Sequence, residues 1–118
     1  MVLVKNEFGK VFGGFSHSPW KAGIKYRYNE DPSGKSFLFS LDMNEKFVLQ
    51  DNSKSIMQHS GAGPIFGASD LYISNECNKN KDSAAYFPDA YNSPGSKKLT
   101  KGSNDGLEEF CGAKNGQF

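Results

Sequence analysis

The sequence has almost no excess of charge of either sign: fourteen basic residues face thirteen acidic ones, a formal net charge of +1. That balance excludes the whole chain as an electrostatic partner of nucleic acid or of an acidic membrane. The one basic concentration, Lys97, Lys98 and Lys101, sits in a Ser- and Gly-rich tract and reads as a solvated loop. Nowhere do about twenty apolar residues run together, so no bilayer-spanning helix is expected, and the opening MVLVKN is too short for a signal-peptide core. The expectation is a soluble chain in the cytoplasm, with no membrane insertion. Cysteine is scarce: Cys77 and Cys111 are the only two. They lack CxxC or zinc-type spacing, which fits a reducing compartment and leaves a disulfide between them open. Also absent are internal repeats and any apolar period of 3.6 residues long enough for a three-turn helix.

What is there is aromatic. Only 36% of the 118 residues are hydrophobic, but 14% are aromatic and ten are Phe, so a single domain over residues 1–118 can close an aromatic-rich core from few positions. The stretch Lys10 to Trp20, KVFGGFSHSPW, organises the reading. A glycine pair inside an aromatic strand marks a bend or the close approach of another group, so something large should lie over Gly13 and Gly14. Trp20, after Pro19, reads as an indole folded back as a core anchor.

Val2 to Lys5 and Val11 to Phe15 read as a hairpin about a turn at Asn6 to Gly9. Ile24, Tyr26 and Tyr28 alternate with charged residues and suggest one extended segment before the turn cluster 29–34. Ser36 to Asp42 and Lys46 to Gln50 form a second hairpin, central in its sheet. Residues 51–63 read as polar and small, with short strands following at Ile65–Phe66 and 71–74. Residues 75–82 are a polar tract, and Tyr86, Phe87 and Tyr91 pin a long loop to the core. Residues 107–111 suggest one helical turn, and Phe118 resembles the first residue of a strand. The predicted fold is mainly β: a two-sheet antiparallel β-sandwich with long loops and at most short peripheral helices, with Trp20, Phe12, Phe37 and Phe39 near its core.

No catalytic, cofactor or metal site emerges from the motifs. GAGPIFG, from Gly61 to Gly67, misses the dinucleotide fingerprint in glycine spacing and has no helix after it, so it reads as a tight turn near Phe66. Asn78, Asn80, Asp82 and Asp89 fall near calcium-loop spacing, but the loop lacks its central glycine and flanking helices, and a polar loop bonded to its own backbone is expected. GASDL around Ser69 lacks the second glycine of a nucleophile elbow, and His17 and His59 have no signature tying them to a nucleophile. Among the carboxylates Asp42, Asp70, Glu108 and Glu109, Asp70 stands out, because it lies between a glycine turn and an apolar strand.

Taken in series, VLVKNEFGKVFGGFSHSPW, SFLFSLD and GPIFGASDLYISNECNKNKDSAAYFPDAY resemble the TLDc domain of oxidation-resistance proteins, in its short protist-type form. Gly13, Gly14, Trp20, Gly63, Phe66, Gly67 and Asp70 match the family pattern and read as fold-defining positions. The resemblance implies a β-sandwich, protection against oxidative stress and, for some members, binding to the vacuolar proton-pumping ATPase. The family normally adds a helical segment before the first strand and a final strand with a Glu-Val-Phe-like motif. The chain is therefore expected to be truncated at both ends, with an open sheet edge that invites self-association. The implied function is a non-catalytic protein-interaction module with a protein partner. The alternatives are an oxidant scavenger or enzyme using Cys77 or Cys111, and a non-functional fragment.

Overall fold

The computed structural model describes residues 1–18, 20, 26–59, 63–67, 70–86, 90–92, 110–112 and 116–118. In chain order the strands are β1 (Val2–Lys5), β2 (Val11–Phe15), β3 (Tyr26–Asn29), β4 (Phe37–Ser40), β5 (Glu45–Leu49), β6 (Ile56–His59), β7 (Ile65–Phe66), β8 (Leu71–Tyr72) and β9 (Tyr91–Asn92). They form a five-stranded sheet, β1-β2-β4-β5-β9, and a four-stranded sheet, β3-β6-β7-β8, both antiparallel. Single bridges from Tyr72 to Ala84 and from Ala84 to Gln117 continue the second sheet. The fold is mainly β, as the strand-length apolar runs predict.

Both expected hairpins are present, each closed by its turn chemistry. In the first, the Asn6 side chain accepts hydrogen bonds from the backbone N–H of Phe8 and Lys10, and Gly9 takes a positive φ of 76°, which glycine adopts without steric cost. The second places β4 third among the five strands, the central position expected of it. Between the sheets, Phe12, Leu38 and Phe47 meet Ile56, Phe66 and Leu71 in one buried cluster that also takes in Tyr91, Phe110 and Cys111.

Two core assignments are corrected. Trp20 is 40% exposed, with the indole edge-on to Phe66 at 5.6 Å between ring centroids. Phe66 itself fills the space under Gly14, so the tryptophan packs outside it. On β4 the inward residues are Leu38 and Ser40, while Phe37 and Phe39 are half-buried on the outer face. Period two tells which residues share a face but not which face the core takes. Phe39 lies over Gly13, and Phe37 stacks on Phe15 at 5.5 Å beneath the Lys46 ammonium at 4.4 Å. Local partners thus cover the outer phenylalanines in part. Phe39→Ala should therefore cost about 1–2 kcal/mol in denaturant melts, against the roughly 3–5 kcal/mol of a fully buried phenylalanine; a loss in the upper range would put the ring in the core.

Two strands escape sequence reading. β6 lies inside the polar tract, where Ile56 and Met57 are its only large apolar residues, and it is preceded by a 3-10 turn at Asn52–Lys54 capped by the Asp51 side chain. β9 is two residues long and exists through its pairing with Val48 and Leu49 of β5. Trp20 to Gly23, Pro19 and Ile24 are described only at Trp20. Residues 93–109, with Lys97, Lys98, Lys101, Glu108 and Glu109, lie outside the described residues. Among the described residues no helix is long and apolar enough to cross a membrane.

Candidate functional site

Two of the residues that stand out in the sequence, Gly14 and Trp20, converge on one ring. Phe66, on β7 of the second sheet, is fully buried and points at β2 of the first. A Cβ placed on Gly14 would lie 2.7 Å from the Phe66 ring and 2.9 Å from Leu38 Cδ2. The missing side chain at Gly14 is thus the space into which the opposite sheet inserts its phenylalanine. At Gly13 a Cβ would run into the Val2 carbonyl oxygen, besides approaching the Phe39 ring at 2.9 Å, so this glycine lets β1 lie close. Gly63 has the same role against the Ile73 carbonyl. The group that the sequence places over the glycine pair is therefore Phe66 on the inner face and Phe39 on the outer.

Immediately after Phe66 the chain reverses at Gly67, whose φ is +65°. A Cβ there would collide with the Asp70 carboxylate. Asp70 is fully buried, and its Oδ1 and Oδ2 accept hydrogen bonds from the backbone N–H of Ala90 and Tyr91, each at 3.1 Å. Ala90 in turn accepts from Gln50 N–H at 2.6 Å, so the carboxylate of the second sheet fixes the segment that starts β9 on the first. Tyr91 carries the connection inward. Its ring meets Phe66 edge-on at 6.3 Å, and its hydroxyl donates to the Ser55 carbonyl at 2.6 Å. Burial, with the Asp70 charge nearby, pushes the Tyr91 phenol well above its ordinary range, so it holds its proton as a donor.

A second buried carboxylate sits close by. Asp31 is 1% exposed and accepts from Ser36 N–H at 2.9 Å, Ser36 Oγ at 2.7 Å and Ser33 N–H at 3.1 Å, with the Ser33 hydroxyl as a further donor. Ser36 Oγ also accepts from His17 N–H at 2.9 Å. Ser18 Oγ donates to the Glu30 carbonyl and lies 3.2 Å from Ser55 Oγ. These hydroxyls tie the turn after β2, the turn before β4 and the start of β6 into one network.

Burial alone would raise the Asp31 pKa, but the hydrogen bonds from Ser33 and Ser36 outweigh it and bring it down from 3.8 to about 2. A folded-state pKa below the unfolded one means stability that is present above 3.8 and is lost as pH falls toward about 2. Acid titration of the unfolding free energy should show this loss between those values, and Asp31→Asn should remove that part of the slope. An identical acid profile in the variant would contradict the assignment.

The two thiols are not brought together as a site. Cys77 is exposed in the turn 75–79, Cys111 is buried in the helical turn at 110–111, and neither forms a disulfide. The Cys111 carbonyl accepts from Asn6 Nδ2 at 2.5 Å. His17 is exposed, and Asp42 accepts from Val11 N–H at the rim of the first sheet. Asn80 bonds to Ser74 Oγ, Asp82 N–H and the carbonyls of Asn75 and Glu76, which is a loop closed on its own backbone. Gly61, Ser69 and Asp89 lie outside the described residues. Among the described residues, no three or more His, Cys, Asp or Glu side chains gather as metal ligands.

Sequence reasoning singles out Asp70, and Tyr91 as an aromatic that pins a loop to the core, while its companion Tyr86 is exposed; it misses Asp31, Ser36 and Ser55. The trace of Asp31 is the DPSG turn, where an aspartate followed two residues later by serine is an Asx-turn signal. Ser55 and Tyr91 meet only through the tertiary fold. A family model described as the TLDc domain matches residues 1–109 of the 118. Searches among curated proteins and among solved structures gave no match.

Proposed function

The chain belongs to the TLDc domain family, a family associated with oxidative-stress functions, and on that premise we propose that it is a non-catalytic protein-interaction module. The observation that carries this reading is the use made of the buried carboxylates. Among the described residues, Asp70 and Asp31 are the buried groups closest in kind to a general acid or base, and each faces N–H or O–H donors of its own chain. A carboxylate so occupied positions loops, and a catalytic one must reach a substrate proton. The partner proposed with it rests on the family resemblance alone and is a subunit of the vacuolar proton-pumping ATPase.

Capture of the purified peripheral sector of that pump by the immobilised chain tests the partner. Complementation of peroxide-sensitive cells with Cys77→Ser tests the chemistry, because Cys77 is the exposed thiol. The expected result is saturable capture and full protection by the variant. Stoichiometric peroxide consumption that disappears with Cys77→Ser, together with loss of protection, would replace this reading with a thiol scavenger.

A further inference from the structure

The chain has three methionines, and each stands in a different relation to the buried cluster. Met1 is 79% exposed and is not among the residues packed against that cluster. Met57, in β6 between Tyr28 of β3 and Ile65 of β7, is 8% exposed. Met43 is the one that is both half-open to solvent and packed against the cluster. It lies in the turn 41–44 that joins β4 to β5. Leu41, Asp42 and Asn44 of that turn are exposed, so Met43 is the residue through which the turn touches the core. Its backbone N–H donates to the hydroxyl of Ser40 at 3.1 Å, and Ser40 is buried. Asn44, with a φ of 51°, closes the turn by donating its N–H to the Leu41 carbonyl at 3.3 Å. The turn is thus tied inward by a hydroxyl and by a thioether.

We propose that Met43 is a redox-sensitive fastening of the β4–β5 hairpin: oxidation of its thioether by peroxide detaches the turn from the core, and reduction restores the contact. In the forward step the sulfur attacks one peroxide oxygen, the O–O bond breaks, an S–O bond forms and water leaves, so the sulfur gives up two electrons. In the return step a dithiol reductase removes that oxygen as water and is itself oxidised to a disulfide. The sulfoxide oxygen is a hydrogen-bond acceptor, and the cluster that Met43 packs against is apolar. Keeping the sulfoxide in place therefore carries the cost of a polar group without a partner, and swinging the turn outward gives it water instead. Met1 has no core contact to lose, and Met57 is shielded from the oxidant, so reactivity and structural consequence coincide at Met43.

The test uses the whole chain carrying Cys77→Ser, which removes the exposed thiol. After limited hydrogen peroxide, peptide mapping should find one added oxygen on Met1 and on Met43 before any on Met57. Oxidation of Met43 should lower the folding equilibrium constant at least about tenfold and speed hydrogen exchange at the amides of Met43 and Asn44. Methionine sulfoxide reductases acting on both epimers should bring back the original unfolding curve. Met43→Leu keeps an apolar side chain of similar volume. It should unfold close to the unoxidised chain and lose the peroxide response while Met1 is still oxidised. Met43→Gln places a polar group at the same position and should reproduce the oxidised curve without peroxide. Met43 left unmodified until Met57 reacts would overturn the proposal, and so would complete oxidation of Met43 with an unchanged unfolding curve. A peroxide response that persists in Met43→Leu would also overturn it, assigning the sensitivity to another residue.

Discussion

Asp70→Ala is expected to lower the free energy of unfolding by about 2–6 kcal/mol, since two buried N–H groups each lose an acceptor at roughly 1–3 kcal/mol. The donors are those of Ala90 and Tyr91. For a domain with a total stability of about 5–15 kcal/mol, the loss reaches a large fraction of the whole. Asp70→Asn keeps one carbonyl oxygen for one donor but turns an amide N–H₂ toward the other, so it should recover only part of the deficit. Denaturant titration of the three proteins measures the series. A loss below about 1 kcal/mol for Asp70→Ala would mean that the two N–H groups find other acceptors and that Asp70 does not fasten β9.

Phe66→Ala is expected to cost about 3–5 kcal/mol, the range for removing a fully buried phenylalanine and leaving part of its volume empty. The vacancy would open beneath Gly14 and Leu38 and would remove the edge-on support of both Trp20 and Tyr91. Trp20 is the single tryptophan, so its emission isolates one of these contacts. In the folded variant the indole should emit further to the red and become more accessible to quenchers. An unchanged spectrum with a small stability loss would place the indole on some other support.

The hairpins were legible because their information is local. An alternating run, an asparagine or aspartate turn and a glycine at positive φ are all contained within one short stretch, as in Val2 to Phe15. The glycine pair was legible as a demand for space, and the turn at Gly67 pointed to Asp70, because an acid between a glycine and an apolar strand has few ways to be buried. The occupants were not legible. That Phe66 lies over Gly14 depends on how two sheets meet, and so does the exclusion of Trp20 to the outside of that contact. The inward face of β4 likewise required knowing that Leu38 stands beside Gly14 in the register. The Tyr91–Ser55 bond joins residues 36 positions apart and β9 pairs with Val48 and Leu49, further away still, and no local pattern encodes a two-residue strand held by such contacts.

The central claim is that Gly14, Phe66 and Asp70 form one packed unit joining the sheets, and a double-mutant cycle on Gly14 and Phe66 tests it most directly. Gly14→Ala in the native background adds a methyl group into the Phe66 ring and should cost about 1–3 kcal/mol. In the Phe66→Ala background the ring is gone, and the same change should be close to neutral. The difference between the two costs removes the intrinsic effect of glycine on strand entropy, which is common to both. A coupling of at least about 1 kcal/mol of this sign is the predicted result, and costs that agree within about 0.5 kcal/mol in the two backgrounds would contradict the account.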